Sequence, residues 1–330
     1  MNKYVKLIFG IAISCVFLYL IFRKTDLQQI FSLILAAKWG FVLLSLVLTV
    51  VSLYIRSYRW QVLLKEHHVI PRRSCMESIC IGLTTNNLLP FRLGDLTQAY
   101  VLAKRNSLSK SLVLSTVVVE RLCDLVFPLV VITASSVVIL APGSNLVFAF
   151  LVVIPIGLLF LFIAKGQVKN IVSFIFSKTQ YSERIVRAVD NFYAGFKVFR
   201  TWQNSLLVTF YTLVLWTCYS LMSYCILLAV RIDLSLLKVI WVQAVTAMSV
   251  VIPSSPGYIG TWEFFAQSAL QVLGVNKELG LTFAILSHAT QYIVQNVMGI
   301  YMIAKTGLSF AEIGNTRNNA EDNMTGGNGL

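Results

Sequence analysis

The sequence predicts an all-α polytopic membrane fold, with about six full spans, two re-entrant or short broken helical hairpins and room for an inverted repeat. Three observations carry that prediction. Hydrophobic residues fill 57% of the 330 positions and charged residues 12%, with a mean hydropathy of +0.76. That composition leaves too little polar surface for a soluble globule of this size. The apolar residues fall in runs long enough to cross a bilayer. Twice, an apolar segment too short or too broken for a comfortable span runs into a Pro/Gly turn and then a carboxylate. The first copy is Asn86-Asn87-Leu88-Leu89-Pro90-Phe91-Arg92-Leu93-Gly94-Asp95, and the second is Val251-Ile252-Pro253-Ser254-Ser255-Pro256-Gly257-Tyr258-Ile259-Gly260-Thr261-Trp262-Glu263.

Full spans are read at 4–22, 40–58, 112–140, 146–164, 204–230 and 281–304. Each supplies the roughly 20 mostly apolar residues that a hydrocarbon core about 30 Å thick requires. Residues 76–89 give 14 positions, about 21 Å of helix, and end in Asn-Asn-Leu-Leu-Pro, so a hairpin is expected there with its return limb at 93–105. The pair 236–252 and 258–273 reads either as a second hairpin or as two short tilted spans. Both options return the chain to the side it left.

Charge sets the expected orientation. With a cytoplasmic N-terminus, the inner segments (Lys3 and Lys6, Arg56 to Arg73, Arg92 to Lys110, Lys165 to Arg200, Lys305 and Arg317) hold 20 of the 27 Lys and Arg residues. Six lie in outer segments, and Arg121 lies within a span. The positive-inside rule then places both termini in the cytoplasm. The net charge of +13 is thereby mostly topological. It is spread over short loops and does not form the single patch that nucleic-acid binding requires. The first hairpin enters from the cytoplasm and the second from outside, so the units 40–140 and 204–304 are inverted, and an inverted repeat would put a site near the bilayer midplane.

The remaining segments are simpler. Lys3 and Lys6 before an apolar run resemble a signal peptide, but no small-x-small site follows, and an uncleaved first span is expected. Ala-Ile-Ser-Cys15 is an imperfect lipoprotein box. The six Cys form no CxxC pair. Residues 1–306 read as one membrane domain and 307–330 as a disordered polar cytoplasmic tail.

The chemistry is expected inside the membrane. Glu120-Arg121-Leu122-Cys123-Asp124 sits in an apolar helix, followed by Pro128. Each charge at a helix centre costs about 2.5–3.5 kcal/mol on insertion scales, so the three must face protein, each other or a water-filled cavity. Glu120 and Asp124 share a face, and Arg121 can pair with Asp124. A structural ion pair that pins helices is the alternative. Two carboxylates to one Arg call for another cation or a proton. Arg92, beside Asp95 at the first turn, is the candidate, and Arg suits a phosphate through its planar fork. Asn86 and Asn87 precede that turn. Asp95 and Glu263 also fit the ordinary role of an acid at a helix N-terminus. In the last span His288, Gln291, Gln295 and Asn296 recur on one face, a polar stripe expected to face the bundle interior. His67-His68 lacks metal-site spacing.

Leu89 to Asp95, Val118-Val119-Glu120-Arg121-Leu122-Cys123-Asp124 and Pro253 to Glu263 follow the order and spacing of the flippase-like membrane region of lysylphosphatidylglycerol synthases, which the chain resembles from about residue 5 to 306. The resemblance implies a polytopic domain with re-entrant helices that moves a lipid between leaflets. It equally implies one that accompanies an enzyme making a modified lipid or lipid-linked sugar. The chain looks like the membrane region alone, so synthase activity is not expected. Asp95 and Gln98 stand where relatives often carry Glu and a basic residue.

The resulting expectation is an inner-membrane translocase for a phospholipid, modified phospholipid or lipid-linked sugar with an anionic or zwitterionic headgroup. Arg92 and Arg121 would bind the anionic group. Glu120, Asp124, Asp95 and Glu263 would balance charge, exchange protons or meet a cation. Asn86, Asn87, His288 and Gln291 complete the candidate site. No cofactor or metal is expected, and without a G-x-x-x-x-G-K-[ST] loop no nucleotide. The rivals are a membrane partner of a lipid-modifying or glycosyl-transferring enzyme, and an intramembrane lipid-modifying enzyme using the same cluster with His288.

Overall fold

Small and polar residues face inward along one long apolar helix of this chain, and much of its large apolar surface faces outward. On the helix Trp39–Leu64 the buried positions include Ser45, Thr49, Ser52, Arg56 and Arg59, while Leu43, Leu44, Val47, Val51 and Tyr54 are exposed. A water-soluble helix has the reverse arrangement. Small interior residues let helix backbones approach closely where burial of apolar surface offers no gain.

The computed structural model describes residues 3–23, 25–66, 69–89, 93–139, 190, 193–252 and 254–307, without the side chains of residues 3–10 and 137. All regular structure among them is helical. In chain order it runs α1 (Lys3–Phe22), α2 (Leu27–Leu35), α3 (Trp39–Leu64), α4 (Arg72–Leu88), α5 (Leu93–Arg105), α6 (Lys110–Ile139), α7 (Trp202–Ala229), α8 (Leu236–Met248), α9 (Thr261–Val272) and α10 (Lys277–Thr306). Short 3-10 turns lie at Gly195–Arg200, Ser249–Val251 and Pro256–Tyr258. The expected span 146–164, Arg92, His67 and His68, and the tail from residue 308 lie outside the described residues.

By length and composition, α3 and α7 are the helices among the described residues that are apolar enough to cross a membrane. The helices α6 and α10 each have 30 residues, about 45 Å. Both carry the charged and polar residues described below.

Helices α3 and α7 are antiparallel neighbours. Lys38, at the start of α3, donates its backbone N–H to Ala229 at the end of α7 at 2.9 Å. At the opposite ends Asn204 donates to Glu66. Around this pair several contacts come in matched sets. Helix α4 packs on α5 and on α10, while α8 packs on α9 and on α6; α5 packs on α6, and α9 on α10. Exchanging α3–α6 with α7–α10 turns each of these contacts into another member of the list.

The hairpins α4/α5 and α8/α9 enter from opposite ends of the bundle. At one end Glu77 of α4 is buried and ion-paired with Arg73, with Arg105 at the end of α5, and with Lys305 at the end of α10. At the other end Lys277, at the start of α10, donates to the backbone oxygen of Arg23. The hairpin tips meet in between. Gly257, at φ +69°, is packed so closely that a β-carbon would lie 2.7 Å from Tyr292 and 3.2 Å from the Asn87 carbonyl oxygen. The Ser255 N–H donates to Ser14 Oγ of α1 at 2.9 Å, and Phe17 packs against Phe264 at 4.6 Å between ring centroids.

Three elements differ from the sequence expectation. Helix α2 is additional: Asp26 caps it by accepting from the N–H groups of Gln28 (2.9 Å) and Gln29 (3.1 Å). Helix α4 begins at Arg72, four residues before the expected 76. Helix α3 continues to Leu64, past the expected end at 58, because Arg56 and Arg59 are interior residues of the helix and not loop cations.

Candidate functional site

The outward apolar face of α3 leaves its inner face free to carry charge, and that face meets α6. Arg56 Nε donates to Glu120 Oε1 at 2.7 Å, and Arg59 donates to Asp124 Oδ1 at 2.7 Å and Glu120 Oε1 at 3.3 Å. Gln98 of α5 donates to the other Glu120 oxygen at 3.1 Å. Glu120 is fully buried and saturated by these donors. The expected shared face of Glu120 and Asp124 is thus bridged by a guanidinium. The missing cations are Arg56 and Arg59, which the sequence reading had placed in a cytoplasmic loop.

Arg121 turns toward the hairpin tip. Its Nε lies 3.3 Å from Asp95 Oδ1, and its other nitrogens lie 3.6 Å from Asp124 and 3.9 Å from Glu120. Asn86 closes the tip by accepting the Gly94 N–H at 2.8 Å and donating weakly to Asp95 at 3.4 Å. Gly94 permits this approach: a β-carbon there would lie 1.9 Å from the Gly82 carbonyl oxygen. Three guanidinium groups therefore face three carboxylates, a formally neutral set.

The second half of the site is built on α9 and α10. Glu263, in the first turn of α9, accepts the Gly260 N–H at 2.7 Å through Oε2, while Oε1 lies 2.5 Å from His288 Nδ1. The imidazole is held between Trp262, stacked at 5.3 Å, and the edge of Tyr292 at 6.0 Å. Gln291 donates to the Ser287 carbonyl oxygen at 3.3 Å, and Asn87 donates to Gln295 Oε1 at 3.1 Å, tying the first tip to α10. Asn296 turns away, donating to the Tyr292 carbonyl oxygen at 2.8 Å, so the polar stripe consists of His288, Gln291 and Gln295.

A cavity of about 170 Å³ lies where the tips meet, with room for on the order of ten waters. Of the candidate residues, Asn86, Asn87, Asp95, Arg121, Asp124, His288 and Gln291 line it. Glu120 and Glu263 stand behind its wall, and Arg92 lies outside the described residues. Arg56, Trp216 and Tyr219 line it as well and were not among the candidate site residues. Arg56 Nη2, Arg121 Nη2 and Trp216 Nε1 are buried donors that make no hydrogen bond, the first two lying 4.0 Å from Asp124 and 3.9 Å from Glu120. A buried unsatisfied donor costs about 1–3 kcal/mol, and a ligand oxygen would offset that cost. Among the described residues no group of His, Cys, Asp and Glu is placed to hold a metal.

Comparison with known proteins places the chain among membrane proteins. The chain is 23% identical to the UPF0104 membrane protein PH1989 of Pyrococcus horikoshii, over 92% of this chain and 97% of that protein. It is 25% identical to the UPF0104 membrane protein MJ1595 of Methanocaldococcus jannaschii, over 87% of this chain and 91% of that protein. It is also 23% identical to Glycosyltransferase AglD of Haloferax volcanii, over 91% of this chain and 54% of that protein. The model of the lysylphosphatidylglycerol synthase TM region matches residues 7–299, and the chain belongs to that family of membrane proteins.

Proposed function

We propose that this protein moves a phosphate-bearing membrane lipid between leaflets, holding the headgroup in the cavity where the two hairpin tips meet. In this reading α4/α5 and α8/α9 are re-entrant hairpins, the sets α3–α6 and α7–α10 form an inverted repeat, about six helices span the inner membrane, and both termini are cytoplasmic. The carrying observation is that Arg56, Arg121 and Trp216, each with a buried donor that makes no hydrogen bond, line one cavity. Such donors favour an anionic oxygen ligand, and a guanidinium fork matches a phosphate. Asp95 and Asp124 on the same wall leave a place for a cationic or hydroxyl-bearing part of the headgroup. Opening the cavity to one side and then the other requires only that each tip part from the helix it docks on, α10 for the first and α1 for the second.

Proteoliposomes carrying fluorescently tagged phosphatidylglycerol test this reading. Wild type should speed loss of outer-leaflet signal after a membrane-impermeant quencher is added, and Arg121→Ala should not. Equal rates in protein-free and wild-type vesicles, for this lipid and for a polyprenyl phosphate, would overturn it.

The match to part of a protein named as a glycosyltransferase supports a second reading, in which the chain is the membrane partner of a lipid-modifying or glycosyl-transferring enzyme. Copurification of such an enzyme, with no lipid movement by this chain alone, is its signature.

A further inference from the structure

Helices of the two sets correspond residue by residue at the site. Asp95 is the third residue of α5 (Leu93, Gly94, Asp95), and Glu263 is the third residue of α9 (Thr261, Trp262, Glu263). Arg121 lies eleven residues after the first residue of α6, Lys110, and His288 lies eleven after the first residue of α10, Lys277. Each acid contacts its partner: Asp95 with Arg121 at 3.3 Å, and Glu263 with His288 at 2.5 Å. One architecture therefore presents the same acid–base contact twice. In one copy the base is a guanidinium, which keeps its proton, and in the other it is an imidazole, which exchanges it.

We propose that the His288–Glu263 pair is a proton-binding site whose occupancy is linked to an anionic headgroup in the cavity. The inference rests on the translocation reading for its ligand. Glu263 is fixed by the Gly260 N–H, and as an ionised carboxylate it can only accept, which assigns the ring proton to Nδ1 and leaves Nε2 as the nitrogen that takes up another. Trp262 and Tyr292 flank the ring and orient Nδ1 toward Glu263.

Charge accounting gives the linkage its sign. Among the described residues the other charged groups facing the cavity are Arg56 of α3, Asp95 of α5, and Arg121 and Asp124 of α6. Arg59 and Glu120 lie behind them and close a set of three cations and three anions. The remaining titratable groups are the phenols Tyr219 of α7, Tyr258 of the 256–258 turn and Tyr292 of α10 itself. Counted over the described residues, the site with neutral His288 and ionised Glu263 is −1, and one proton on Nε2 raises it by one unit, to zero. A phosphodiester anion enters the zero state more readily than the −1 state. By reciprocity, the bound anion raises proton affinity by the same factor. In the fully linked range the apparent affinity for the anion should fall about tenfold per unit rise in pH.

The chain has three His residues, at 67, 68 and 288, so His67→Gln, His68→Gln protein leaves His288 as the sole imidazole. Its ¹⁵N spectrum in nanodiscs should show the Nδ1–H tautomer and gain a second N–H signal as pH is lowered. The midpoint should be higher in phosphatidylglycerol than in phosphatidylcholine, and lower in a Glu263→Gln variant. A ring fixed in one charge state at every pH, or a midpoint indifferent to the lipid, would overturn the proposal without a mutated site residue. In the leaflet-transfer assay wild type should respond to pH and His288→Gln should not. Titration with no transfer at any pH would sustain the proton site and overturn translocation. Transfer with a non-titrating His288 would do the reverse.

Discussion

Arg59 donates to Asp124 Oδ1 at 2.7 Å from a side chain with no solvent exposure, and the same guanidinium reaches Glu120 at 3.3 Å. Two elements distant in sequence are thereby joined by buried charge. An interior ion pair is weak evidence for net stability, because desolvation offsets its attraction, but removing one partner strands the other.

Glu120→Gln should therefore destabilise the fold, by about 3–5 kcal/mol if both Arg56 and Arg59 are left undercompensated. Arg59→Met together with Glu120→Leu should cost less than the sum of the single changes. Thermal or denaturant unfolding in detergent measures both. Additive effects would mean that the cluster does not act as one unit. If Glu120→Gln folded normally and lost transfer, a direct proton-carrying role would displace this structural one.

Arg121 should behave differently, because its side chain is 28% exposed and lines the cavity. Arg121→Ala should fold, and in native mass spectrometry it should lose discrete phospholipid or polyprenyl-linked species that wild type retains. Arg121→Lys keeps the charge but loses the planar fork, so it should recover only part of that retention. Identical bulk lipid on all three proteins would remove the headgroup site.

How far the sequence disclosed this arrangement depended on whether the signal was local. Helix α5 falls at the expected 93–105 because Pro90 breaks the chain before it, Asp95 marks its first turn and Lys104 and Arg105 mark its last. Helix α2 carried a local signal too, Asp26 before Leu-Gln-Gln, but it is too short to register as a span. Arg56 and Arg59 were misplaced because two cations after an apolar run look like its end. The spacing held the correction: Ser45, Thr49, Ser52, Arg56 and Arg59 recur at intervals of four, three, four and three, which is one helix face. The Glu263–His288 contact had no local signal. Only the docking of α9 on α10 brings these residues together, across 25 positions of sequence.

Gly257→Ala tests how the two tips dock. The new β-carbon would meet Tyr292 at 2.7 Å, and φ is +69°, a region that side chains disfavour. Backbone strain alone should cost about 1–3 kcal/mol. The Tyr292 ring must also move, so the variant should disturb the environment of His288 and be read in its imidazole resonance. An unchanged spectrum and stability would mean that the tips are not in contact in the membrane.

The opposed entry of the hairpins makes a sidedness prediction. Ser107 follows α5 at the end of the bundle where Arg105 and Lys305 flank Glu77, and Gln271 lies in the last turn of α9, near the end where Lys277 meets Arg23. Both positions are exposed. Single cysteines at Ser107 and Lys305, in a background with the six native cysteines replaced, should react with an impermeant maleimide only from the cytoplasmic face. Cysteines at Gln271 and Lys277 should react only from the other face. Arg105 and Lys305 belong with the excess of basic residues, which fixes the expected direction. Labelling of Ser107→Cys and Gln271→Cys from the same face would mean that one hairpin crosses the membrane, and the inverted relationship on which the shared cavity depends would be lost.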